Sequence, residues 1–222
     1  MTIECPCVSR NLEPGGFTSE GIWLSSFSNA VRNSRRCLFL DRDGVLVEDV
    51  GYLRRAEDVR ILPGVFDLLR WATMRDLAVV VVTNQSGIAR GFFDWSAYCE
   101  VENEIARQLY GQGLAVDLTV ACPFHPDFTP YYGETHAYWR KPGPGMLCLA
   151  ADRMGLNLAE SWIIGDKASD VGAAQAAGIS GAIYLSSNDG GKQPLLDFSE
   201  VFDVLVAKDI ADANRILARW LP

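Results

Sequence analysis

The sequence lacks the long apolar run that a membrane-spanning helix needs. No purely apolar stretch in its 222 residues is longer than that of residues 77–82, whereas a bilayer span takes about 20 such residues. A basic segment followed by an apolar core, the pattern of a secretory signal peptide, is also missing near Met1. We therefore expect a cytoplasmic protein with no membrane partner.

Positive charge is scarce as well. The chain has 20 Lys and Arg residues against 28 Asp and Glu residues, which gives a formal net charge of −8 at pH 7. Because non-specific binding to nucleic acid needs clustered Lys and Arg, this composition argues against a nucleic-acid partner. Any site for a phosphate group must then be made by a local concentration of positive groups.

Cysteines are few, and their spacing shows no regular motif. Six cysteines are spread along the chain, as is typical of reduced and mostly buried thiols in a protein of this length. Cys5 and Cys7 have no second pair nearby to complete a tetrahedral metal site, so we expect no metal there.

The first part of the chain shows no clear hydrophobic period. Residues 1–35 contain a Pro-Gly-Gly segment and several Ser and Asn residues, which predicts a loosely ordered extension or a surface wrap. Trp23, Leu24 and Phe27 are apolar enough to dock on the body of the protein. We expect the folded domain to cover residues 36–222.

From residue 37 onward, short apolar runs alternate with helical patterns. Strands are predicted at residues 37–41, 78–83, 116–121, 162–165, 182–185 and 201–206, and helices at residues 65–75, 95–110, 145–154, 170–177 and 211–220. The run at 78–83 is apolar on both faces, as in a parallel strand covered by helices. The alternation predicts an α/β fold with a doubly wound parallel sheet.

Three of these strands end in polar residues. Asp41 and Asp43 follow the first strand, residues 83–86 the second, and residues 166–170 the strand at 162–165. Ligands of doubly wound sheets bind outside the carboxyl ends of the strands, where the strand order reverses. The three polar segments are therefore expected to form one site.

Two carboxylates at a strand end can divide the work of phosphoryl transfer. One of Asp41 and Asp43 can attack phosphorus while the other handles the proton, and Mg²⁺ would neutralise the pair with Asp166 as a further ligand. Asp170 begins a helix and can cap it while contacting the metal ligands. The alternative for the first pair is a solvated Asp-Arg-Asp-Gly turn.

The remaining polar segments suit an anion. A hydroxyl and successive backbone amides at residues 83–86 can form an anion-binding concavity, and Arg140 and Lys141 bring two cations before a helix. Taken singly, the first segment could be a polar turn and the second a solvated basic pair.

Several motifs in order along the chain carry a family resemblance. They are FLDRDG at residues 39–44, GY at 51–52, TNQSGIARG at 83–91, CP at 122–123, RKPGPGM at 140–146 and GDK at 165–167. Together they resemble the haloacid-dehalogenase (HAD) phosphatase superfamily. Within it they are similar to the D-glycero-D-manno-heptose 1,7-bisphosphate phosphatases, whose close relatives are histidinol-phosphate phosphatases. The resemblance covers residues 37–185.

The resemblance implies a HAD-like domain without a large cap and a role for each matching residue. Asp41 would be the nucleophile and Asp43 the general acid and base, with Mg²⁺ held by Asp41, the Asp43 backbone carbonyl and Asp166. The phosphate- and substrate-binding residues would be Arg42, Asp49, Tyr52, Thr83, Asn84, Gln85, Ser86, Arg140, Lys141 and Lys167. Short loops at residues 49–55, 87–95 and 122–139 would shape the pocket.

The third of these loops departs from the family pattern. Family members bind a structural zinc through a Cys-x-His and a Cys-x-Cys, but here only Cys122 is kept and Phe124, Ala137 and Trp139 replace the other ligands. We expect no zinc, because His125 and His136 would complete only an irregular set. Aromatic packing is expected to hold the loop instead.

These features predict a phosphomonoesterase acting on a small phosphorylated sugar, as a monomer or weak homodimer. The resemblance favours heptose 1,7-bisphosphate in nucleotide-heptose synthesis for surface polysaccharide. Histidinol phosphate or another small phosphate is the first alternative, and a catalytically silent binding protein with the same fold is the second. The changed third loop leaves the choice of substrate open.

Overall fold

The structure is a computed structural model that describes residues 15–26, 28, 33–186 and 202–220. Cys5, Cys7 and Phe27, about which the sequence made predictions, lie outside the described residues.

Strands and helices alternate along most of the described chain. The strands are β1 (Gly16–Phe17), β2 (Trp23–Ser25), β3 (Cys37–Leu40), β4 (Ala78–Asn84), β5 (Leu118–Cys122), β6 (Trp162–Gly165), β7 (Gly181–Leu185) and β8 (Asp203–Ala207). The α-helices are α1 (Val65–Met74), α2 (Ser86–Ala89), α3 (Trp95–Tyr110), α4 (Glu134–Trp139), α5 (Gly145–Met154), α6 (Ala168–Ala177) and α7 (Ile210–Trp220). Short 3₁₀ helices lie at Ala56–Asp58 and Leu158–Glu160.

The strands form a single mostly parallel sheet in the order β1-β2-β5-β4-β3-β6-β7-β8. Strands β5, β4, β3, β6, β7 and β8 run parallel to one another, and β2 pairs antiparallel with β5. The chain leaves β3 toward β4 on one side and returns to β6 on the other, so the order reverses at β3. The predicted doubly wound α/β fold is confirmed, and the reversal fixes where a ligand site can form.

Both faces of the sheet are covered by helices. Helices α1, α3 and α7 contribute to the apolar core on one face, and α5 and α6 to the core on the other. Strand β4 is buried along almost its whole length, as its apolar residues on both faces predicted. The central strands are therefore rigidly held where their polar ends emerge.

Part of the N-terminal segment forms a hairpin at the edge of the sheet. Strands β1 and β2 form an antiparallel hairpin, and β2 pairs with β5 at the edge of the sheet. The Trp23 side chain is buried and stacks on Trp95 with ring centroids 5.6 Å apart. The hairpin thus packs on β5 and α3, because aromatic burial and edge pairing hold strands too short to show a sequence period.

The three predicted loops carry only short elements. The 3₁₀ helix Ala56–Asp58 follows the first loop, α2 begins one residue before the second loop, and α4 lies in the third loop. Within the described ranges, no helix is long and apolar enough to cross a bilayer.

Candidate active site

A cavity of about 340 Å³ opens at the carboxyl ends of the central strands. It is lined by most of the predicted site residues: Asp41, Arg42, Asp43, Asp49, Tyr52, Thr83, Asn84, Gln85, Ser86, Arg140, Lys141, Lys167 and Asp170. Gly51, Leu53, Gly87 and Ser169 also line it. Residues that are far apart in sequence meet here because β3, β4 and β6 end at the same edge.

Asp41 and Lys141 form a buried ion pair at the floor of the cavity. Lys141 Nζ lies 2.8 Å from Asp41 Oδ1 and donates to the Val82 carbonyl at 2.7 Å. The same ammonium forms an ion pair with Asp170. Burial disfavours the ammonium, but Asp170 and Asp41 outweigh it and raise the pKa of Lys141. Lys141 therefore stays charged beside Asp41.

Three carboxylates converge beside this lysine. Oxygen atoms of Asp41, Asp166 and Asp170 lie within 4.8 Å of one another, and all three residues are buried. Lys141 and Lys167 bring two positive charges to three negative ones, and Lys167 Nζ lies 3.7 Å from Asp166 Oδ1. Since hard oxygen donors with an excess of negative charge suit Mg²⁺, this group can hold that ion.

The predicted metal set and the observed group overlap at Asp41 and Asp166. Asp170 completes the group and also accepts a hydrogen bond from the Lys167 backbone N–H at 3.0 Å, at the start of α6. Burial raises the pKa of Asp170, although Lys141 works in the opposite direction. Helix α6 begins at Ala168, so the prediction that Asp170 begins this helix is wrong; from the third helical position its carboxylate instead accepts from the N–H of Lys167, the residue before the helix.

The Asp43 carboxylate is held by neighbouring side chains at the cavity wall. Arg42 donates to it through Nε at 3.2 Å and Nη2 at 3.0 Å, and Gln85 Nε2 donates at 2.9 Å. Gln85 also donates to the Thr83 hydroxyl at 2.8 Å. Although Arg42 lines the cavity, its side chain is only 1% exposed. Its guanidinium forms ion pairs with the Asp43 and Glu102 carboxylates.

The end of β4 is fastened to the segment that carries Lys141. Asn84 Nδ2 donates to the Lys141 carbonyl, and the Lys141 N–H donates to Asn84 Oδ1, each at 3.1 Å. Gln85 N–H donates to the Cys122 carbonyl at 2.7 Å. Ser86 then begins α2. These bonds fix the orientation of the 83–86 segment relative to the basic pair.

The mouth of the cavity is built by longer and more exposed side chains. Lys167 Nζ reaches Asp49 Oδ2 at 3.2 Å, and Tyr52 packs edge-on against Phe92 with ring centroids 4.7 Å apart. Burial lowers the pKa of Lys167, but Asp41, Asp166 and Asp49 more than offset it and raise that pKa. The mouth therefore offers a cation and an aromatic edge to a ligand.

Aromatic residues fill the third loop where the family pattern has zinc ligands. Phe124 and Trp139 pack against the core. Phe124 meets the His136 ring edge-on at 4.6 Å, and Tyr132 stacks on the same ring at 5.6 Å. Burial raises the pKa of Cys122 to about 11, which favours the neutral thiol. We call Phe124, Tyr132, His136 and Trp139 the loop cluster.

The loop cluster also orients Arg140. Arg140 Nη1 donates to the Phe124 carbonyl at 2.9 Å, so the position of this predicted substrate-binding residue depends on the loop.

Two features behind the site had not been predicted. Gly165 has no room for a side chain, because an added Cβ would collide with the Asp170 side chain. Glu102 and Tyr98 lie on the buried face of α3 and contact Arg42. A carboxylate on the apolar stripe of a predicted helix is the sequence signal that could have pointed to Glu102.

Comparison with known proteins agrees with this geometry. A family model described as HAD-hydrolase-like matches residues 138–213. The chain is 35% identical over 201 residues to the D-glycero-beta-D-manno-heptose-1,7-bisphosphate 7-phosphatase of Mesorhizobium japonicum, covering 87% of this chain and 92% of that protein. It is 33% identical to a D-glycero-alpha-D-manno-heptose-1,7-bisphosphate 7-phosphatase of Burkholderia mallei, covering 71% of this chain and 83% of the relative.

A solved structure resembles the whole domain. The D,D-heptose 1,7-bisphosphate phosphatase of B. bronchiseptica, complexed with magnesium and phosphate, superposes with a TM-score of 0.71 at 30% identity. The match covers 83% of this chain and 99% of that one. With the fold, the carboxylate group and these relatives in agreement, the chain belongs to the HAD-like phosphatases of the D-glycero-D-manno-heptose-1,7-bisphosphate 7-phosphatase family.

Proposed function

We propose that this phosphatase is Mg²⁺-dependent and works through an aspartyl-phosphate at Asp41. The observation that carries the proposal is the position of Asp41, which is buried at the cavity floor between Lys141 and the carboxylates of Asp166 and Asp170. A carboxylate in such a place can attack phosphorus while positive charge compensates the developing negative charge.

The proposed reaction has two steps. An Asp41 oxygen attacks phosphorus, the bond from phosphorus to the sugar oxygen breaks, and that oxygen takes a proton from the Asp43 carboxylic acid. Asp43 then takes a proton from water, whose oxygen attacks phosphorus and breaks the bond to Asp41. Phosphate leaves, and both aspartates return to their starting state.

The surrounding residues would bind and orient the phosphoryl group. Lys141 and the Thr83 hydroxyl would stabilise it, and Arg140 would hold the sugar end of the substrate. Asp41, Asp166 and the Asp43 backbone carbonyl would hold Mg²⁺. When bound, the ion offsets negative charge on the carboxylates and on the transferring phosphoryl group.

The substrate that we propose is D-glycero-D-manno-heptose 1,7-bisphosphate, dephosphorylated during nucleotide-heptose synthesis for surface polysaccharide. The names of the relatives from Mesorhizobium japonicum and Burkholderia mallei support it. Because those names differ in anomer, both anomers are candidates. The cytoplasmic location and the monomeric or weakly dimeric state stay predictions from the sequence.

Phosphate release from a panel of phosphate esters tests this proposal. We expect release from a heptose bisphosphate to exceed that from histidinol phosphate and other sugar phosphates, to stop with EDTA and to return with Mg²⁺. Asp41→Asn should lower turnover by about a thousandfold or more, while the protein should still unfold cooperatively on heating. Activity that survives Asp41→Asn would refute the nucleophile, and equal rates on every ester would refute the substrate.

A further inference from the structure

Glu102 is an acidic residue on the apolar face of α3. It lies one turn from Tyr98 on the side that packs against the core, and both residues are buried. Burial raises the pKa of Glu102, and the nearby Arg42 guanidinium opposes that rise. A carboxylate in such a place is destabilising unless it is paired, so its partner explains its presence.

The partner is Arg42, which lines the cavity whereas Glu102 does not. Arg42 Nη1 donates to Glu102 Oε1 at 3.0 Å, while Nε and Nη2 donate to Asp43. The Tyr98 ring lies against the guanidinium with its centroid 5.3 Å from Cζ. One planar cation thus joins a carboxylate on α3 to the proposed proton donor.

This arrangement fixes the Asp43 carboxylate from two directions. Arg42 donates to both carboxylate oxygens, and Gln85 Nε2, from the residue that follows β4, donates to Oδ2. The Arg42 guanidinium can hold the Asp43 carboxylate in place only if it is itself fixed. The hydrogen bond to Glu102 and the contact with the Tyr98 ring restrict its rotation. Proton transfer depends steeply on distance and angle, so this rigidity bears directly on the reaction.

We propose that Glu102 is a positioning residue, which acts through Arg42 to hold Asp43 in line with the leaving oxygen of the substrate. The proposal rests on the proposed function, in which Asp43 donates the proton. Glu102 touches neither the substrate nor the phosphoryl group in this role. Its loss should therefore lower the rate of proton donation and leave the binding of phosphate unchanged.

Comparing substrates with different leaving groups distinguishes a positioning role of Glu102 from a purely structural one. A sugar alkoxide needs a proton as it departs, whereas 4-nitrophenolate departs without one. Because kcat/KM reports events up to the first irreversible step, it reflects proton donation and excludes the later hydrolysis step. The ratio of kcat/KM for the best sugar phosphate to that for 4-nitrophenyl phosphate also cancels any loss of folded enzyme.

Glu102→Gln should lower this ratio by about tenfold, through kcat and with KM for the sugar phosphate nearly unchanged. The matched control is Glu104→Gln, the same substitution on the same helix, where the partner is the exposed Arg107. The control should leave the ratio within about twofold of the wild type.

A double-mutant cycle tests whether the effect passes through Arg42. In an Arg42→Gln background, Glu102→Gln should change the ratio no further, because the link to Asp43 is already broken. A ratio for Glu102→Gln that matches Glu104→Gln would overturn the proposal, as would a full additional loss in the Arg42→Gln background.

Asp43→Asn separates this inference from the proposed function. If Asp43 is the proton donor, Asp43→Asn lowers the ratio by more than Glu102→Gln does. An unchanged ratio in Asp43→Asn would reject the proposed proton donor itself. A lowered ratio in Asp43→Asn together with a wild-type ratio in Glu102→Gln would reject only the role of Glu102.

Discussion

Gly165 determines how closely α6 can approach the end of β6. An added Cβ at this position would collide with the Asp170 side chain, which contacts Lys141 and the Lys167 backbone. The glycine is thus required by the close approach of two elements beside Asp170, since its φ angle needs no glycine.

Gly165→Ala should therefore displace Asp170 and disturb the carboxylate group. We expect the free energy of unfolding to fall by about 1–3 kcal/mol and turnover to fall by about tenfold or more. Urea unfolding and phosphate release measure the two effects. Gly16→Ala, where an added Cβ meets nothing within 4 Å, is the control, and equal behaviour of the two variants would contradict this account.

The third loop shows at the scale of an element how packing can hold a segment in place. The loop cluster joins residues before and within α4, and it holds the carbonyl that accepts a hydrogen bond from Arg140. Loss of one ring should therefore lower both the stability of the protein and the affinity for the sugar phosphate, which Arg140 is proposed to bind.

Phe124→Ala is expected to lower the free energy of unfolding by about 2 kcal/mol and to raise KM for the sugar phosphate more than it lowers kcat. Tyr131→Ala is the matched control in the same loop, because that side chain is 99% exposed. Metal analysis of the purified protein should find no stoichiometric zinc. Zinc bound at Cys122, or a melt that zinc chelation lowers, would contradict the expected role of the aromatic rings.

Sequence patterns were sufficient for the elements with a clear period. Helices α3 and α5 and strand β6 have the predicted bounds, because their apolar residues recur with the period of the structure that forms. The three polar strand ends meet as predicted, since parallel strands place their carboxyl ends together. Short helix α4 was not predicted, because six residues give too little pattern to distinguish a helix from a loop.

Sequence patterns could not predict contacts between residues that are far apart in the chain. The pairing of Arg42 with Glu102 joins positions 60 residues apart, and no local period reports such a contact. The β1–β2 hairpin was missed for the same reason, since its stability comes from partners on β5 and α3. At the scale of the whole molecule, the hairpin also covers an edge of the sheet that would otherwise expose β5.

Trp23→Ala tests how much the hairpin contributes to the whole fold. Trp23 is 2% exposed and contacts Phe17, Trp95 and Tyr98, so we expect a loss of about 3–5 kcal/mol in urea unfolding. Light scattering should also detect association through the uncovered edge of β5. Phe17→Ala, which removes an exposed ring of the same cluster, should have a smaller effect, and the reverse order would contradict this role of the hairpin.

The Lys141 ammonium has three N–H bonds and already contacts three protein oxygens, by hydrogen bonds to Asp41 and the Val82 carbonyl and by an ion pair with Asp170. A phosphate oxygen can therefore accept a hydrogen bond from this ammonium only by replacing a protein oxygen. The exchange leaves the number of hydrogen bonds unchanged, so the lysine adds charge at the reacting centre without adding much affinity for free phosphate. Product inhibition should accordingly be weak, and the site can empty quickly for the next turnover.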